Sequence, residues 1–102
     1  MQNKLILEAI ALQKPVQATY NKASVTLAPH ILYTRHGELS VDPVTNARDG
    51  RSPREVKIGT FKVSGLRDLA LVERRFDPQA LFDPNDAKYD GVTLFAIEKA
   101  AA

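Results

Sequence analysis

A mainly β domain (α+β) with one N-terminal helix is the fold class this sequence predicts, and three observations carry it. Apolar residues recur at helical spacing only near the start, at Leu5, Ile6, Ala9, Ile10 and Leu12. From Val16 onward they alternate with polar residues or gather in short β-branched runs. Between those runs stand turn formers, at Asn21-Lys22, His36-Gly37 and Gly65.

Taken in order, residues 4–13 read as an amphipathic helix with Asn3 as its N-cap, stopped by Pro15. Residues 16–20 alternate as a half-buried strand, and Asn21-Lys22 turns the chain. The run over residues 23–33 is apolar and β-branched but contains Pro29. Proline cannot donate to a ladder, so a bent strand is expected there. His36-Gly37 makes a tight hairpin into Leu39-Ser40-Val41. Residues 45–53 are a long loop by composition, rich in Asn, Asp, Gly and Arg. Val56, Ile58, Phe61 and Val63 continue the strand pattern across Gly59, and Leu69 and Leu71 follow after Gly65. Five strands in about sixty residues favour a small barrel, because closure removes exposed edges.

After Phe76 the pattern changes. Asp77-Pro78 suits one short helical turn and Asp83-Pro84-Asn85-Asp86 a loop, so residues 76–102 read as a C-terminal extension packed on the domain of residues 1–75. Residues 92–97 are compatible with strand, while the tail from Glu98 is compatible with helix.

At 102 residues there is room for one core. With no cysteine, disulfides and thiolate metal sites are excluded, and stability must come from packing. The N-terminal run is too short and mixed for a signal peptide or membrane span, which makes the cytoplasm the expected location and a membrane an unexpected partner.

No enzyme chemistry is legible. Ser24, Ser40, Ser52 and Ser64 lie outside any nucleophile-elbow motif, and His30 and His36 have no spaced carboxylate cluster with which to hold a metal. The five glycines stand singly, so no phosphate-cradling loop is present, and nothing calls for a cofactor.

The informative feature is charge. Arg48, Arg51, Arg54, Lys57 and Lys62 face only Asp49 and Glu55 within residues 48–62, while residues 76–102 carry five acids against Lys88 and Lys99. Arginines and lysines recurring every three residues can converge on one anion, and the alternative is a solvated face. Small barrels bind single strands by joining such cations to aromatic platforms, for which Tyr20, Tyr33 and Phe61 are available.

The order of helix, strand 16–20, strand into Pro29, glycine hairpin, then Thr60-Phe61-Lys62-Val63-Ser64-Gly65-Leu66 with Leu69 and Leu71 behind it resembles the WYL domain family, over residues 5–72. The resemblance implies an SH3-like or Sm-like barrel and a regulatory module that senses ligands, nucleotides or nucleic acid among them. The tripeptide that names the family falls near Glu38-Leu39-Ser40, and the chain has no Trp. The family's arginine ahead of the proline falls at Val25 or Thr26, and the last arginine of its Phe-Arg-Leu-Asp-Arg-Ile stretch at Gly65; Phe61 and Lys62 keep the family's character. Ten helical residues cannot make the helix-turn-helix to which such domains are usually fused. The expectation is therefore a non-enzymatic binding module for a nucleotide or single-stranded nucleic acid, with Arg48, Arg51, Arg54, Lys57, Lys62 and Tyr33 as its contacts. The alternative is a structural module, a homodimer in which residues 92–97 pair with a partner's edge.

Overall fold

The structure is a computed structural model and describes residues 2–98. Helix α1 (Gln2–Leu12) buries Ile6, Ala9 and Ile10, the i, i+3, i+4 stripe, against the sheet. The proposed Asn3 cap falls outside the residues whose side chains are described. At the other end Gln13 turns left-handed (φ 56°), the Gln13 N–H donates to Ile10 O and the Lys14 N–H to Ala9 O. These two bonds form a Schellman close, and Pro15 forbids another turn.

Six strands follow among the described residues: β1 (Val16–Tyr20), β2 (Ala23–Arg35), β3 (Glu38–Arg48), β4 (Phe61–Lys62), β5 (Arg67–Leu71) and β6 (Thr93–Ala96). They form one antiparallel sheet in the order β4-β3-β2-β1-β5, with β6 also on β2. Two-residue turns at Asn21-Lys22 (φ 48° and 66°) and His36-Gly37 (φ 53° and 77°) join β1 to β2 and β2 to β3. Both central residues lie in the left-handed region, the geometry whose twist matches paired strands.

Long β2 organises the sheet. One of its edges runs along β3, and the other meets β1 through residues 23–27 and β6 through residues 31–33. Pro29 falls in the gap between those two neighbours, where no ladder needs its missing N–H, and stands opposite Pro43 beside a register shift. The bend expected at Pro29 is thus a bulge within a continuous strand.

Three expectations change. Residues 45–48 are not loop: they pair with Val25, Thr26 and Leu27, and the chain turns at Asp49-Gly50 (φ 50° and 79°) into an Arg48–Arg51 bridge. A polar composition gave way to a buried partner strand, since Val25 and Leu27 are core residues. The strand expected over Val56 and Ile58 shrinks to one bridge, Val44 to Ile58, and Val63 enters a 3-10 turn (Val63–Gly65) after the two residues of β4. So short a β4 cannot reach β5, and the sheet is open: its ends are β4 and β5.

Within residues 92–97, Thr93–Ala96 form strand, through β6 pairing with β2; the tail at 99–102 lies outside the described residues. The segments on both sides of β6 are built into the core, since Phe82 and Tyr89 before it and Ile97 after it join Ile6, Ile10, Leu27 and Ile31 in one cluster. Among the described residues no helix is long and apolar enough to cross a membrane.

Candidate functional site

The cations follow one another along the chain from the end of β3 to β4. Arg48 ends β3, Arg51 follows the Asp49-Gly50 turn, Arg54 and Lys57 lie on an irregular segment, and Lys62 is in β4. All five are exposed. Arg48 and Lys57 line one groove of about 360 Å³ together with Tyr20, Thr45, Thr60 and Phe61.

The two rings in that groove are half-buried and meet edge to face, with centroids 4.8 Å apart and planes at 72°. Glycines make room for them. A Cβ on Gly65 would stand 3.0 Å from Tyr20 Cε1, and one on Gly59 would stand 3.4 Å from Phe61 Cε1. An aromatic platform beside a guanidinium and an ammonium can stack a planar ring and hold an attached anion.

Charge pairing separates the cations further. Lys62 is paired with Glu38 at 3.2 Å and Lys57 with Glu55 at 3.5 Å, whereas Arg48, Arg51 and Arg54 form no ion pair among the described residues. The acidic C-terminal segment meets this stretch at Ile58 and Thr60 and leaves the arginines alone. The carboxylates of Asp83 and Asp86 accept from the Asn85 and Lys88 backbone N–H groups of their own loop.

Tyr33 is a correction. Its ring is 1% exposed, so no base can stack on it. It belongs instead to a buried cluster that the sequence reading missed. Asp42, 0% exposed on β3, accepts from Tyr33 Oη at 2.7 Å, Tyr89 Oη at 2.6 Å and Lys88 Nζ at 2.9 Å. The Lys88 ammonium also stands 5.8 Å and 5.3 Å from the Tyr33 and Tyr89 ring centroids and 3.5 Å from Thr60 Oγ1.

Burial, reinforced by the Asp42 carboxylate, pushes both phenols above their ordinary pKa. Burial works against the Lys88 ammonium, but its bond to Asp42 and the attraction of that carboxylate outweigh it, so Lys88 too is raised. Raised phenols are held protonated, the reverse of what a nucleophile or base requires. The cluster therefore acts as a clasp between β3 and the C-terminal segment. A carboxylate set between Val41 and Val44 in a strand pattern was the available sign of it.

His30 is a second clasp. Fully buried, it accepts the Gln79 N–H at Nε2 (3.1 Å), so Nδ1 carries the proton and donates to Ala28 O at 2.8 Å. Its ring lies between Phe76 and Phe82, with centroids 5.3 Å and 5.2 Å away. His30 is thus an anchor for residues 76–82.

Comparison of the chain with protein-family models, with curated proteins and with solved structures returned no match.

Proposed function

We propose that this chain is a non-enzymatic regulatory binding module, related in type to the WYL domains, that holds a nucleotide unit in the groove of Tyr20, Phe61, Arg48 and Lys57. The unit is either free or part of a single-stranded nucleic acid. One observation carries this reading: a half-buried ring pair stands beside Arg48, a guanidinium with no carboxylate partner among the described residues. The rings supply a surface for the base and the cations a place for its phosphate. An open sheet with a strongly organised central strand is also what a divergent SH3-like barrel with a shortened fourth strand would leave.

The test is anisotropy of a short labelled single strand against salt. Affinity should fall as salt rises, with a logarithmic slope of about −0.7 for each neutralised phosphate. The double variant Arg48→Ala/Lys57→Ala should flatten that slope. Phe61→Ala should weaken binding by about 1–3 kcal/mol at every salt concentration, because stacking is largely insensitive to ions. Binding that ignores salt and survives both variants would remove the groove from consideration.

A second reading, the homodimer, is favoured by β6. Residues 92–97 are expected to pair with a partner's edge in this reading; β6 pairs instead with β2 of its own chain, yet Leu94 and Phe95 remain 55% and 39% exposed. Sedimentation equilibrium should then show a dimer that Leu94→Lys converts to monomer. A monomer in the parent protein would end this reading.

A further inference from the structure

We propose a second phosphate position in this groove, centred on Arg54, so that the ligand carries two phosphate groups in line from its ring; this rests on the nucleotide reading above. The ring-bearing groove is lined in part by Pro53, Glu55 and Lys57, and the same three residues with Arg54 line a further hollow of about 300 Å³. Three shared residues make the two hollows one continuous track. Lys57 stands at the junction, the ring pair and Arg48 on one side and Arg54 on the other.

The charges along the track fit this assignment. Glu55 is the one acidic side chain lining it among the described residues, and it is engaged with Lys57 at 3.5 Å. Arg48 and Arg54 are left without an ion pair, which gives an excess of two positive charges spread along the track. One phosphate at Arg48 and Lys57 would answer only the first. A second, reached past Lys57, answers the other through the planar fork of a guanidinium. Two ligand types carry that chemistry: a nucleoside diphosphate and a 5′-phosphorylated dinucleotide.

The experiment is calorimetric titration with adenosine monophosphate, adenosine diphosphate and 5′-phosphorylated diadenylate, read as the ratio of two-phosphate to one-phosphate affinity. In the parent protein at low salt the ratio should be about ten or more, the value of one charge-assisted hydrogen-bonded contact. Arg54→Ala should bring it close to one. Arg74→Ala, the same loss of charge at an exposed site off the track, should keep it. Whether the diphosphate or the dinucleotide shows the gain identifies the source of the second phosphate. A ratio near one in the parent, with monophosphate bound, overturns the second position and leaves the nucleotide reading standing. A gain that survives Arg54→Ala also overturns it, and failure of all three ligands to bind overturns both.

Discussion

Replacing Asp42 by Ala should cost about 3–5 kcal/mol of folding stability, the range for breaking a buried charge pair by removing one partner. For a domain whose total is about 5–15 kcal/mol, that is enough to shift a urea midpoint far or abolish folding at body temperature. The loss has identifiable parts. Tyr33 and Tyr89 would keep buried phenols whose acceptor is gone, and an apolar gap would open beneath Lys88. Lys88 is 43% exposed and can turn to water, so it contributes little to the penalty. Asp42→Asn keeps the volume and one carbonyl acceptor, and should therefore cost clearly less than Ala. A loss under about 1 kcal/mol for Ala would mean that the carboxylate is not enclosed as described.

The same cluster sets an alkaline limit. Tyr33, Tyr89 and Lys88 all have folded-state pKa values above their ordinary 10.0, 10.0 and 10.5. Each therefore binds a proton more tightly folded than unfolded. Their stabilisation is complete below about pH 10 and declines as pH rises beyond it, because the unfolded chain then releases protons that the folded chain retains. Asp42→Asn should make stability above pH 10 less steeply dependent on pH, since the carboxylate is a cause of all three shifts.

What sequence made legible follows from how local each signal is. The helix, β1 and the two hairpin turns are written in neighbouring residues: an i, i+3, i+4 stripe, a two-residue alternation, and Asn-Lys and His-Gly pairs able to adopt positive φ. The true length of β3 is not local. Three of the four residues from Thr45 to Arg48 are polar, and only the apolar strand across from them holds them extended. The open sheet has the same origin, because the two-residue length of β4 depends on where the chain must turn at Val63 to carry Leu66 into the core.

The candidate site divides in the same way. A run of cations is visible in any sequence, so Arg48, Arg54 and Lys57 could be named in advance. That Tyr20, forty-one positions from Phe61, is the ring beside them depends on the pairing of β1 with β5 and of β3 with β4. Tyr33 reads as an available stacking ring, and it is buried with Asp42 because Tyr89 and Lys88 return from the far end of the chain.

That return is the basis of the last expectation, that Phe82→Ala will cost about 3–5 kcal/mol, as for a fully enclosed aromatic residue. The segment around Phe82 holds little regular structure, and its Asp, Pro and Asn content reads as a surface appendage. Yet Phe82 is 2% exposed and packs its ring 5.2 Å from His30 and 6.0 Å from Tyr89, so it touches both clasps that hold residues 76–89 to the sheet. The neighbouring Leu81 provides the control, being equally apolar and one residue away but 49% exposed. Leu81→Ala should change stability by no more than about 0.5 kcal/mol. Thermal unfolding of the two variants then separates an integral segment from an appendage. If both are equally mild, residues 76–89 lie on the domain without supporting it; if only Phe82→Ala is severe, the core is closed by a segment whose composition gives no sign of it.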